Sequence, residues 1–139
     1  MKSKVLYFVT QVLFISFVML SCSKESDPKP VSPFNVVAYS PADKADDVKP
    51  DAKIVITYNK KPSAEMIAGK NFILELANSP ETQFECSAAY DGSTTISYTP
   101  NALLGKGVRY AVVLNYPLAA DGTKLQNEFI ISFTTALKP

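Results

Sequence analysis

Four aspartates, Asp43, Asp46, Asp47 and Asp51, crowd one stretch of the chain, and clustered carboxylates are the oxygen donors that calcium takes from a loop. Their spacing does not follow the ligand order of an EF-hand, and a solvated acidic loop accounts for the same residues. The chain has two cysteines, Cys22 and Cys86. Cys86 alternates with Phe84, Ala88 and Tyr90, which puts all four on one face of a strand, where a thiol acts as a small buried hydrophobe. No electropositive setting that would activate it is visible nearby. Histidine is absent altogether. That removes the commonest general base and the commonest metal ligand, and with them Ser-His-Asp catalysis, Cys-His catalysis and His-containing zinc sites. Paired carboxylates hydrolyse glycosides when held about 5–10 Å apart in a cleft, but the acids here fall mostly in turns and near the N-terminus. The residues therefore predict no catalytic set, no metal site and no cofactor: the chain does not read as an enzyme.

Charge points away from polyanions. The net charge is +1, from 14 basic and 13 acidic residues. A near-neutral chain with no basic run has no footprint for nucleic acid.

The N-terminus reads as an address. Lys2 and Lys4 precede an apolar run from Val5 to Leu20, shorter than the roughly 20 residues a spanning helix needs. A small residue, Ser21, then stands before Cys22. A basic start, a short apolar core and a small-residue cleavage site describe a secretory signal over residues 1–21. Met19-Leu20-Ser21-Cys22 resembles the lipobox of bacterial lipoproteins, with Met19 where Leu is usual. The resemblance implies that Cys22 becomes the first mature residue and carries lipid, so that the chain's membrane partner is reached through Cys22. An ordinary signal peptide or an uncleaved anchor is the alternative. Residues 22–33 are polar, charged and proline-rich, and read as a flexible tether. Ser23-Lys24-Glu25-Ser26-Asp27 resembles the surface-export tag of some Gram-negative lipoproteins, and a plain solvated linker would look the same. The expected location is the cell envelope, as an outer-membrane lipoprotein, with surface display implied by that tag. With Cys22 lipidated, Cys86 has no partner for a disulfide inside the domain.

The elements that would position any site follow from Phe34 to the end, residues 34–139, where the dominant apolar period is two. Strands are expected over 34–39, 53–59, 71–76, 83–90, 94–99, 109–115 and 128–135. Ile54, Ile56 and Tyr58 share one face, as do Phe72, Leu74 and Leu76, then Tyr110, Val112 and Leu114, then Phe129, Ile131 and Phe133. Residues 42–50 are expected as a polar loop, Asn78-Ser79-Pro80 as a turn, and 62–67 as at most one helical turn. Asp91-Gly92-Ser93 between two β-rich runs marks a hairpin. About seven short strands without a substantial helix predict an all-β fold, a two-sheet antiparallel β-sandwich.

Several segments then resemble one family. Val36 to Asp43, Val48-Lys49-Pro50 and Ile54 to Tyr58 are similar to the opening of a bacterial Ig-like domain of the SbsA (S-layer protein) type. Ile96-Ser97-Tyr98-Thr99-Pro100 and Leu104 to Tyr110 resemble its middle. Ala120 to Leu125 and Ile131 to Thr135 resemble its end. Tyr58 stands where Phe is usual, and Thr123 where Asn often follows Gly. The resemblance implies an immunoglobulin-like sandwich and a modular extracellular role, and it carries no catalytic residues.

The matched positions have physical roles. Pro41 and Pro100 end strands by removing a ladder donor. Gly105 and Gly107 allow a sharp turn before Tyr110, whose hydroxyl is expected to bond back to the preceding loop as in a tyrosine corner. Gly122 permits positive φ in the last turn. The function expected is a lipid-anchored module with a structural, adhesion or accessory binding role. The alternatives are a glycan- or calcium-binding surface adhesin and a carbohydrate-uptake accessory protein. Candidate contact surfaces for a protein or glycan partner are residues 42–50 and 116–126. The second includes Tyr116 and Leu118, whose side chains either contact a partner or merely cap the core.

Overall fold

The computed structural model of the chain describes residues 30–138. Residues 1–29, which include the expected signal, Cys22 and most of the expected tether, lie outside the described residues. Among the described residues, nine strands form two sheets, with one short helix between the third and fourth strands. The strands are β1 (Val36–Ser40), β2 (Ala45–Val48), β3 (Ile54–Tyr58), β4 (Phe72–Leu76), β5 (Ser79–Phe84), β6 (Cys86–Tyr90), β7 (Thr95–Pro100), β8 (Arg109–Leu114) and β9 (Ile130–Thr135); helix α1 is Ala64–Ile67. One sheet has the order β1-β3-β7-β6 and the other β2-β9-β8-β4-β5.

The core follows from strict alternation. Ile54, Ile56 and Tyr58 on β3, Ile96 and Tyr98 on β7, Tyr110, Val112 and Leu114 on β8, and Ile131 and Phe133 on β9 are all buried. A one-residue slip in any of these strands would turn its apolar set outward, so the pattern fixes the register. Aromatic rings carry the contact between the layers: Phe72 of β4 stacks on Tyr98 of β7 with centroids 3.8 Å apart. Phe34 stacks on Tyr58, and Phe84 meets Tyr110 edge-on. Among the described residues, the buried core runs from Phe34 to Phe133.

The all-β sandwich expected from the sequence is the fold observed, with three differences in detail. Residues 42–50 are not a simple loop: Ala45–Val48 forms β2, which pairs parallel to β9, Ala45 opposite Phe133 and Val48 opposite Thr135. The Asp-Asp pair masks this strand, because only its two ends touch the core. Second, the expected strand 83–90 is two strands in different sheets. Phe84 pairs with Leu74 in one sheet and Cys86 with Pro100 in the other, and the chain crosses between them at Glu85. Alternation continues through the crossing, so periodicity alone cannot show it. Third, Ser79 and Pro80 belong to β5 rather than to a turn. Proline is tolerated there because β5 is an edge strand, with a free side where a missing donor costs nothing.

Helix α1 is a single turn. Ser63 caps it, its hydroxyl accepting from the Met66 amide at 3.4 Å, and Met66 is the residue it buries.

Candidate functional site

Tyr110 enters β8 with its ring buried, and its hydroxyl accepts the Gly105 amide at 2.8 Å. That bond ties the loop before β8 to the core. A methyl group at Gly105 would stand 2.9 Å from Val108 Cγ2, which would have to shift, and a tight 3.3 Å from the Tyr110 hydroxyl. Gly107 has φ +65°, and Leu137 lies against it. Thr135 completes the corner, and no sequence signal singles it out. It is 2 % exposed, its hydroxyl donates to the Gly105 carbonyl, and it accepts from the Val108 amide at 3.0 Å. Pro41 is buried directly after β1, Pro100 is the last residue of β7, and Gly122 sits at φ +82° in the 120–123 turn.

The second candidate surface, 116–126, is pinned to its surroundings. Ser63 donates to the Leu118 carbonyl, Ala120 to the Lys61 carbonyl, and Gln126 to the Phe34 carbonyl. Lys60 Nζ meets Asp121 Oδ2 at 3.1 Å. The Thr123 hydroxyl and amide, joined by Lys60, hold the Asp121 carboxyl down at about 2. Asn71 donates through Nδ2 to the Asn115 and Tyr116 carbonyls, at 2.8 and 3.2 Å. On this frame Tyr116 is 83 % exposed, with φ +48°. The backbone conformation, unusual for a bulky residue, is imposed by neighbours that leave the ring in solvent. Leu118 is half-buried and belongs to the packing beneath.

The first candidate surface, 42–50, is divided by β2. Asp43 is used inside the fold: its Oδ1 accepts the Ser132 amide at 2.9 Å. Asp46 and Asp47 lie exposed on β2, and Asp51 is exposed beyond it. Among the described residues, no group of three His, Cys, Asp or Glu side chains converges to hold a metal ion. The two candidate surfaces lie at opposite ends of β9, since Val48 pairs with its last residue while Gln126 precedes its first.

Buried polar groups sit elsewhere. Tyr58 and Tyr98 are each 1 % exposed, and among the described residues neither hydroxyl has a hydrogen-bond partner. They lie near enough to feel each other, but short of bonding geometry. Burial first, then the neighbouring phenol, pushes the Tyr58 hydroxyl far above its ordinary range. Burial pushes Tyr98 up to about 12. Cys86 is half-buried at the start of β6, and burial raises its thiol to about 11, which holds it in the unreactive form. Asp91 is held low, first by the Ser93 amide and then by the Thr95 amide, as the cap of the β6–β7 hairpin.

Two stacked, antiparallel-rich sheets locked by a tyrosine corner define an immunoglobulin-like domain. The chain belongs to the bacterial Ig-like domain family, whose sequence profile matches residues 30–135. Among solved structures, domains 1–6 of the surface layer protein SbsC align with a TM-score of 0.56 at 20 % identity, covering 78 % of this chain and 14 % of that one. CopC from Methylosinus trichosporium OB3b aligns with a TM-score of 0.55 at 16 % identity, over 74 % of this chain and 93 % of that one. An L,D-transpeptidase from Mycobacterium smegmatis aligns with a TM-score of 0.51 at 13 % identity, over 76 % and 41 %. These likenesses concern the fold. A search of the curated proteins finds no match.

Proposed function

We propose that this chain is a lipid-anchored module of the cell envelope, an outer-membrane lipoprotein with a non-catalytic structural, adhesion or accessory binding role. The non-catalytic part is supported by where the displaced titratable groups sit, in the core or tied into a turn, together with the direction in which they are displaced. Tyr58, Tyr98 and Cys86 move up and Asp91 and Asp121 move down, so each moves away from neutrality. Each is also engaged in the core or in a turn. General acid–base chemistry asks for the opposite, a group brought towards the working pH.

The anchor rests on the sequence: a basic start, a short apolar run and Ser21-Cys22. Envelope placement is supported by membership of the bacterial Ig-like family and by the fold shared with a surface layer protein. Mass spectrometry of the mature N-terminal peptide tests the anchor. The expected result is an acylated Cys22, with Cys22→Ser moving the protein from the membrane to the soluble fraction. A mature chain that begins elsewhere, or an unmodified Cys22, overturns it. Protease treatment of intact cells then reports which side of the membrane the domain faces.

A second reading, recognition of a glycan or an extended protein segment, is favoured by Tyr116. An aromatic ring that is 83 % exposed and held by a hydrogen-bonded frame is a ready stacking surface.

A further inference from the structure

Phe34 bridges Leu125 in parallel, and the two segments then part. From Val36 the chain pairs with β3 in one sheet, Val36 opposite Tyr58, while residues 126–129 lead into β9 of the other. The wedge between them is a groove of about 390 Å³, the size of a small-molecule site. Its apolar wall is Val36, Leu125 and Phe129, and the rest of its lining is Asn35, Tyr39, Gln126, Asn127 and Glu128. The main chain fixes these walls. The Asn35 amide donates to Asn59 Oδ1 at 2.8 Å, and the Gln126 amide to the Phe34 carbonyl at 3.0 Å. The side chains are left free: among the described residues, none of the five polar ones has a hydrogen-bond or ionic partner for its polar group. Tyr39 lies opposite Ile56, on the side of β1 that faces the other sheet. Its ring is 41 % exposed, yet it is held edge to face against the nearly buried Phe129, with centroids 5.2 Å apart.

We propose that this groove binds a neutral saccharide, with the Tyr39 ring against the C–H face of one sugar and Asn35, Gln126, Asn127 and Glu128 bonding its hydroxyls. A carboxamide both donates and accepts, and a carboxylate accepts at two oxygens, so this set matches neighbouring hydroxyls, which themselves donate and accept. Other ligand classes fit less well. No lysine or arginine lines the groove, and Glu128 repels an anion. A purely apolar ligand would strand three carboxamides and a carboxylate away from water. One carboxylate is too few for a calcium ion. An added peptide strand would need evenly spaced main-chain groups along β1, and the bulge between Val36 and Ala38 interrupts them.

Gln126, Asn127 and Glu128 stand exposed, so much of a bound sugar stays in water. The expected Kd is accordingly modest, about 0.1–5 mM. Tyr116 is not among the residues lining the groove, so a sugar held here and one held at Tyr116 are told apart by substitution. Binding in the groove does not require the lipid anchor either.

The test titrates the full chain, purified in a detergent without a sugar headgroup, with maltohexaose, cellohexaose, xylohexaose, mannohexaose and the acidic trigalacturonate, each to about 10 mM. Calorimetry is expected to show binding of at least one neutral probe, with amide signals of residues 35–39 and 126–129 shifting as it binds. Tyr39→Ala is expected to weaken that binding at least about tenfold. Because Tyr39 also packs on Phe129, a second variant leaves the packing alone: Asn127→Ala, at an exposed position, is expected to weaken binding at least about threefold with the melting temperature unchanged. Tyr116→Ala is expected to leave it as it was. No neutral probe bound at about 10 mM overturns the proposal, as does binding that survives both Tyr39→Ala and Asn127→Ala. Trigalacturonate bound as tightly as the best neutral probe overturns the neutral class. Binding lost in Tyr116→Ala but kept in Tyr39→Ala overturns this groove and upholds the Tyr116 surface instead.

Discussion

Removing one oxygen atom from a buried tyrosine should have opposite effects at different places in this core. The Tyr110 hydroxyl accepts the Gly105 amide at 2.8 Å, and Tyr110→Phe leaves that donor without its partner. Losing a hydrogen bond costs about 0.5–1.5 kcal/mol, and stranding a buried donor about 1–3 kcal/mol. Gly105 is reachable by water, so the lower part of that span applies, about 1–1.5 kcal/mol. For a domain of this size that is a fall in Tm of about 4–8 °C. Tyr58 and Tyr98 are equally buried, but their hydroxyls bond to nothing. A buried hydroxyl without a partner costs about 1–3 kcal/mol of desolvation, which the change to Phe returns. Tyr58→Phe and Tyr98→Phe are therefore expected to be neutral or stabilising by up to about 1 kcal/mol each. Because the two hydroxyls lie close together, the double variant need not equal the sum of the singles. Urea denaturation of the soluble domain, with unchanged m-values, measures all four variants. The reasoning fails if Tyr110→Phe costs no more than Tyr98→Phe, or if Tyr98→Phe destabilises by more than about 1 kcal/mol.

The same tyrosines set a response to alkali. Their native pKa values lie above the ordinary 10.0, so between pH 10 and the native value the unfolded chain releases protons that the folded one keeps. Their contribution is fully present below pH 10 and is lost above it, at no more than about 1.4 kcal/mol per pH unit for each tyrosine. Cys86, raised from 9.0 to about 11, begins the decline near pH 9. Chemical denaturation at pH 8, 10 and 11 should show falling stability, with a shallower fall in the Tyr58→Phe/Tyr98→Phe variant; identical profiles would count against buried phenols. For the recognition surface, Tyr116→Ala should leave stability within about 0.5 kcal/mol, because the ring is exposed. It should weaken capture on a glycan array, or of envelope proteins, by about five- to tenfold, the equivalent of about 1–1.4 kcal/mol of stacking. Unchanged capture would return Tyr116 to the status of an ordinary surface residue.

The layered β architecture could be read from the chain, because an apolar period of two is a local property. Ile54-Ile56-Tyr58 or Tyr110-Val112-Leu114 has only one way to bury a face, whatever the neighbours. The Asp91-Gly92-Ser93 hairpin is equally local, since the cap bonds of Asp91 span only a few residues. The absence of histidine excluded whole chemistries without any coordinates. Other features depended on partners far along the chain. Ala45–Val48 is a strand only because β9 lies beside it, 88 positions on at the Ala45 end, and nothing in Ala-Asp-Asp-Val demands that. The break at Glu85 is hidden because a strand that changes sheets keeps its alternation while exchanging its neighbours.

The same division holds at the sites. Tyr110 could be singled out from its place after Gly105 and Gly107, but its link to Thr135 closes across 30 residues through Gly105. The unpaired hydroxyls of Tyr58 and Tyr98, the exposure of Tyr116 and the place of β6 at a sheet edge are relations between distant segments. Sequence alone determined which side chains had to leave water, because hydrophobicity and strand period belong to the residues themselves. Tertiary structure decided which polar groups found partners and which strands lie at the sheet edges, because hydrogen bonding and edge position exist only once remote strands lie side by side.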